Sequence, residues 1–254
     1  MGLHACETIR EPQLEAGWRL SVYPAAGELG GSFRYSWVAG RKPSGGPGDP
    51  ERSRQEAARR ARTKVRRYCA ANRLNRLGTL TYAGDGCHDP REARAHAGRF
   101  FRDLRRGLDD RELPYVWVPE WHAGGHGLHL HFAVGRYVPR RLIERVWGRG
   151  FVHIKLLADL PVGSGAFGEA RLAARYLSKY VGKAFEQERV AGLHRYEVAQ
   201  GFQPEPVLVT GRTCEEALDA SCQVMDGKLP DRVWHSDQHP DWQGPPAVWA
   251  SWPG

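Results

Sequence analysis

Between Gly78 and Leu157 the chain switches hydrophobic period several times, and the order of those switches restricts the fold more than any other feature of the sequence. Gly78-Thr79-Leu80-Thr81-Tyr82 is a short strand of small, hydroxyl and apolar residues. Asp89-Pro90 then starts a helix that runs to about Gly107. Its proline sits at the first turn, where no backbone donor is lost, and Phe100, Phe101, Leu104 and Leu108 can face a sheet. Strands follow at 114–120, around Tyr115-Val116-Trp117-Val118, and at 128–135; the glycines at 124, 125 and 127 let the chain turn back between them. Pro139 opens a second helix, Arg140 to Trp147, and Phe151 to Leu157 is a further strand. The order β-α-β-β-α-β, with one more helix after it, predicts an α+β fold. Its expected core is a ferredoxin-like (split βαβ) antiparallel sheet with helices packed on one face, the other face staying partly free.

The helix after that core holds Arg175-Tyr176-Leu177-Ser178-Lys179-Tyr180-Val181-Gly182-Lys183. A helix advances about 100° per residue, so Tyr176, Lys179, Tyr180 and Lys183 share one stripe while Ala173, Leu177, Val181 and Ala184 form the apolar one. Phenols beside ammonium groups suit attack on a phosphodiester, because the cations favour phenolate and steady charge on phosphorus. Tyrosines at this spacing also suit plain packing at a core rim. Upstream, strand periodicity sets His129 and His131 on one face and Leu128, Leu130, Phe132 and Val134 on the other. The hairpin brings Glu120 near them, giving two imidazoles and a carboxylate. Oxygen and nitrogen ligands without thiolate fit Mg²⁺ or Mn²⁺ when phosphate adds further oxygens, and zinc would bind such a set too.

Taken in order, Gly78 to Tyr82, His129-Leu130-His131 and Tyr176 to Lys183 resemble the three motifs of the HUH endonucleases. Among these the pattern is most similar to rolling-circle replication initiator (Rep) proteins of plasmids and single-stranded DNA phages. Tyr176-x-x-Lys179 and Tyr180-x-x-Lys183 both fit the third motif, as in the two-tyrosine initiators. The resemblance covers about residues 77 to 186. Relaxases place the tyrosine before the histidines and usually add a third histidine; here the histidines come first, which points to an initiator or a two-tyrosine transposase. The resemblance implies that His129, His131 and Glu120 hold a divalent metal, Mg²⁺ or Mn²⁺, that polarises the scissile phosphate. A tyrosine then attacks, leaving a free 3′-hydroxyl and a 5′-phosphotyrosine link, and a second tyrosine allows rejoining. Tyr180, flanked by Lys179 and Lys183, is expected to cut first and Tyr176 to serve strand transfer. His122 and His126 add imidazoles to the same hairpin and compete with Glu120 for the role of third ligand.

Charge agrees with a nucleic-acid partner through its location. Residues 51–76 hold ten Arg or Lys against Glu51 and Glu56, a local +8, whereas residues 197–254 hold three basic and nine acidic side chains, for −6. Ala57, Ala61, Val65 and Tyr68 make a buried stripe through the basic segment. It is therefore expected to be an amphipathic helix presenting Arg52, Arg59, Arg60, Arg62, Lys64, Arg66 and Arg67 to DNA phosphates. The division expected from composition is an N-terminal extension at 1–50, with a small hairpin at Trp18–Tyr23 and Phe33–Val38 and a Gly/Pro linker at 40–50. The basic helix at 51–76, the nuclease core at 77–190, an extension at 191–225 and a flexible Pro/Trp/Asp-rich tail at 226–254 follow. Within the extension, 194–198 and 207–209 are expected strands, and Thr213 caps a helix to about Val224. No apolar run reaches membrane-spanning length, no secretory signal opens the chain, and the five cysteines include no Cys-x-x-Cys pair, so a reducing cytoplasm is expected. No nucleotide-binding loop occurs. Single-stranded and origin DNA are the expected partners, with unwinding and synthesis left to a host helicase and polymerase. A nucleic-acid-binding module without chemistry, or a phosphoesterase that uses water, would share the composition but form no covalent adduct with DNA.

Overall fold

A computed structural model describes residues 16–35, 50–109, 112–156, 165–186 and 194–253; most of the expected 40–50 linker lies outside them. The elements in chain order are β1 (Gly17–Tyr23), β2 (Glu28–Arg34), α1 (Pro50–Ala71), β3 (Arg76–Tyr82), α2 (Pro90–Gly107), β4 (Tyr115–Trp121), β5 (Leu128–Val134), α3 (Arg140–Trp147), β6 (Gly150–Leu156), α4 (Gly165–Glu186), β7 (Glu197–Val198), β8 (Val207–Gly211), α5 (Cys214–Val224), β9 (Arg232–His235) and β10 (Ala247–Ser251). They fall into two compact units: among the described residues, 23–28, 50–109, 112–156, 165–186, 194–206 and 252–253 form the larger, and 16–22, 29–35 and 207–251 the smaller.

In the larger unit the β-α-β-β-α-β order closes into a sheet β6-β3-β5-β4-β7, antiparallel at every junction. Local chemistry places the boundaries. Asp89 caps α2 by accepting from the Arg91 N–H at 2.8 Å, with Pro90 at the first turn. Arg73, with φ of 52°, takes the left-handed conformation that stops α1 before β3, so the basic helix ends at Ala71 rather than at 76. Gly78 in β3 has no room for a side chain, because an added Cβ would lie 2.1 Å from the Phe132 ring across the sheet.

Helices cover both faces, not one. Leu80, Trp117, Leu130 and Phe132 meet Phe100, Phe101 and Leu104 of α2 and Leu142 and Trp147 of α3. On the opposite face Leu77, Val116, Val118 and Ala133 meet Ala61, Val65 and Tyr68 of α1 and Ala173, Leu177 and Val181 of α4. The strands are apolar on both sides over much of their length, and a one-sided sheet would have left that second stripe in water. The free face expected from the sequence is thus reduced to a part of the sheet.

The smaller unit is a five-stranded sheet in the order β8-β1-β2-β10-β9, with α5 following β8. Thr213 caps α5 by accepting from the Glu216 N–H at 3.1 Å. The first hairpin differs from expectation: a 3₁₀ turn at Pro24–Ala26, ended by Gly27 at φ 58°, returns the chain so that its second strand starts at Glu28 rather than Phe33. Residues 226–253 differ too. They contribute β9 and β10, paired from Val248↔His235 to Ser251↔Arg232, instead of a loose tail. No helix among the described residues is long and apolar enough to cross a membrane.

Candidate active site

Residues directly opposite each other in an antiparallel sheet point to the same face, and the register aligns the chemistry into two rows. One runs from Glu120 in β4 through His129 in β5 and Thr81 in β3 to Phe151 in β6; the next runs Val118, His131, Thr79, His153. This is the α1/α4 face.

His131 is nearly buried and held from both sides. Its Nε2 lies 2.8 Å from Glu120 Oε2 and its Nδ1 3.0 Å from Thr79 Oγ1. Burial pushes the imidazole below its ordinary range, outweighing the Glu120 carboxylate, so the ring is neutral. A neutral ring beside a carboxylate keeps its proton on Nε2 and accepts at Nδ1 from the Thr79 hydroxyl. Thr79 was not singled out from the sequence; the strand register is the signal that identifies it. Burial would raise the Glu120 carboxyl, but hydrogen bonds from Lys183 and His131 prevail and hold it below the usual carboxylate range. Lys183 Nζ is 2.6 Å from Glu120 Oε1.

His129 stacks on His122, with ring centroids 4.7 Å apart, and its Nε2 is buried without a hydrogen-bond partner. Burial first, then His122 and His131, lower its pKa and keep it neutral. An unpartnered nitrogen at such a place is uncommon, and it is the donor a metal would take. The other hairpin histidines are engaged locally: His122 Nδ1 accepts from the Gly124 N–H at 3.1 Å, and His126 Nε2 donates to the Tyr82 carbonyl at 3.0 Å.

α4 is fixed by its alanine-rich stripe, Ala170, Ala173, Ala174, Leu177 and Val181, each fully buried. That docking turns the predicted Tyr/Lys stripe to the histidine row. The Tyr180 ring lies flat on His131, 3.7 Å between centroids and 12° between planes, and its hydroxyl donates to Tyr176 Oη at 2.8 Å. Lys183 Nζ sits 5.6 Å from the centre of the Tyr180 ring. Tyr176 and Lys179 are exposed. The flanking lysines were expected to make Tyr180 more acidic, yet its phenol is pushed up, by burial first and then by its hydrogen bond to Tyr176. Lys183 directs its ammonium to Glu120 instead.

Among the described residues no group of three or more His, Cys, Asp or Glu side chains stands ready to hold a metal. The donors are present, but Glu120 is bound to Lys183 and His131. By chemistry His129, His131 and Glu120 suit a hard or borderline divalent ion, provided Glu120 exchanges an ammonium for the metal.

The basic helix divides its arginines. Arg59, Arg60, Arg62 and Lys64 are exposed as expected. Arg66 and Arg67 are not an outward pair. Arg66 grips Glu28 with two hydrogen bonds, at 2.8 and 2.9 Å, while Arg67 donates to the same carboxylate at 2.7 Å and lies over the Tyr23 ring. Glu28 is 1% exposed, and a buried carboxylate requires cations, which ties both arginines into the fold. Ala58 replaces Ala57 on the buried stripe.

Residues 75–185 match the family model of replication-associated protein ORF2/G2P. The matched stretch contains every residue of the two rows and of the Tyr/Lys stripe, and it supports a role in replication initiation. No characterised protein and no solved structure matches the chain significantly.

Proposed function

We propose that the protein is a two-tyrosine initiator of the HUH endonuclease type, which nicks and rejoins single-stranded origin DNA to start rolling-circle replication. The observation that supports this most is the stacking of Tyr180 on His131, which Thr79 also holds, with Lys183 reaching from the same helix to Glu120: three separate sequence motifs meet at one point. In the proposed reaction a tyrosine Oη attacks the scissile phosphorus. The P–O bond to the 3′ oxygen breaks, that oxygen leaves as a 3′-hydroxyl after gaining a proton, and the phenol proton is lost as the 5′-phosphotyrosine forms. His129, His131 and Glu120 would hold a divalent ion, which would supply charge neutralisation at the phosphate. Thr79 orients His131, and the Lys183 ammonium steadies charge on the phosphate oxygens. Tyr180 is the nucleophile of the first cut by position, next to His131, rather than by acidity. Tyr176, one turn away and exposed, receives the second strand. Unwinding and synthesis are assigned to a host helicase and polymerase.

Incubation with a labelled single-stranded origin oligonucleotide and Mg²⁺ or Mn²⁺ tests this. A protein–DNA adduct should form, excess chelator should prevent it, and His129→Ala and His131→Ala should each abolish it. Peptide mapping should place the first adduct on Tyr180. Tyr180→Phe should lose most of it, Tyr176→Phe should nick but rejoin slowly, and the double variant should bind DNA without any adduct. Adduct on Tyr176 alone reverses the assignment; binding or hydrolysis with no adduct from the unaltered protein refutes the nucleophile.

A further inference from the structure

α4 lies over β4 and β5, and on the same face of the edge strand β6 the residues Phe151, His153 and Lys155 are exposed. Phe151 is 71% exposed and ends the row that holds Thr81, His129 and Glu120. An isolated exposed apolar residue needs no explanation; this one stands in line with the reacting groups. Two strand spacings separate it from His129, roughly 10 Å, the reach of a nucleotide close to a phosphate at the histidines. Thr79 and Thr81, half-buried, floor the interval. Lys155 adds a cation, His153 a polar ring, and β6 carries no carboxylate, so the strip suits an anionic chain with flat apolar faces.

We propose that Phe151 is a base-stacking residue for single-stranded DNA. It holds the base of a nucleotide flanking the scissile phosphate, and Lys155 meets the backbone beyond it. The inference rests on the reading of the site as a single-strand nuclease and adds to it where the strand runs: from the tyrosines across β5 and β3 to the β6 edge. Stacking uses the π-face that every base has, so the contribution does not depend on which base is there.

The test is fluorescence anisotropy of labelled oligo-dT with the full chain, in chelator to prevent cleavage. Phe151→Ala should weaken binding about tenfold or more. Phe151→Trp should retain affinity, whereas Phe151→Leu, apolar but not planar, should not. Lys155→Gln should lower the salt slope by about one. Equal binding by Phe151→Ala, restoration by Phe151→Leu, or a concentration-dependent dimer of the unaltered protein that Phe151→Ala abolishes would each overturn the assignment. Nicking separates the two readings. If the unaltered protein nicks origin DNA and Phe151→Ala binds normally, only the stacking role fails. If Phe151→Ala weakens binding to a protein that binds but never nicks, the stacking role stands and the nuclease reading fails. No binding of oligo-dT by the unaltered protein overturns the stacking role, and nicking of origin DNA alone then decides the nuclease reading.

Discussion

At the residue scale the decisive arrangement is the sharing of Glu120. One oxygen faces the neutral His131 and the other the Lys183 ammonium, so the carboxylate that the proposed metal would take is already occupied by a competing cation. Lys183 is more than half exposed, and an ion pair of this kind is worth only about 0.2–1 kcal/mol. The competition is therefore mild and reversible, as the proposed exchange of ammonium for metal at one carboxylate would require. Lys183→Met should tighten Mn²⁺ binding by about two- to fivefold, measured by titration calorimetry on DNA-free protein, while slowing the nicking that the lysine assists. Weaker Mn²⁺ binding in that variant would show that Lys183 positions Glu120 for the metal instead of opposing it.

At the element scale, the strands and helices between 76 and 156 were legible to within one or two residues, because alternation, Asp-Pro and the glycine turn are local signals. The site was legible there too: His129 and His131 share a face by strand period alone, and the Tyr/Lys stripe by helix period. What α1 does with its arginines was not legible. Arg66 and Arg67 meet a carboxylate about forty positions earlier in the chain, which no periodicity within the helix can reveal. Their roles now divide by experiment. Neutralising Arg59, Arg60, Arg62 and Lys64 together should flatten the salt dependence of DNA binding and leave thermal stability nearly unchanged. Arg66→Gln with Arg67→Gln should instead strand Glu28 and cost about 3 kcal/mol or more, a fall of roughly 6–12 °C in Tm. The acid dependence has a definite sign. Burial raises the Glu28 carboxyl, but pairing with Arg66 and Arg67 prevails and holds it below its ordinary 4.5. Its contribution is then complete above that value and is lost as pH falls through the lower folded value. The stability gap between unaltered protein and double variant should narrow below about pH 4.5; a gap that stays constant would place the effect outside this carboxylate.

For the whole molecule, composition misdirects at the C-terminus. Residues 226–254 are rich in Pro, Trp and Asp, the signature of a segment too polar to pack alone. Their partners are at the other end of the chain, and only the folded topology discloses them. Trp252 in the larger unit shows how firmly the end is held: the side chain is 1% exposed, the backbone N–H donates to the Gly27 carbonyl at 2.9 Å, and Arg171 Nη2 donates to the backbone carbonyls of both Gly27 and Trp252, at 2.8 and 3.0 Å. Arg171 belongs to the helix that carries Tyr176 and Tyr180 and holds the backbone of this end, so removing the end frees the start of the tyrosine helix, whereas removing the Trp252 side chain leaves a tryptophan-sized volume. Trp252→Ala should cost about 3–5 kcal/mol, read as a fall in Tm. Truncation after Met225 should be at least as damaging, because it also removes β9, β10 and the Trp252 carbonyl that Arg171 holds, and it should speed proteolysis within α4. A truncated protein with unchanged Tm and unchanged nicking would mean that these residues are a dispensable tail after all.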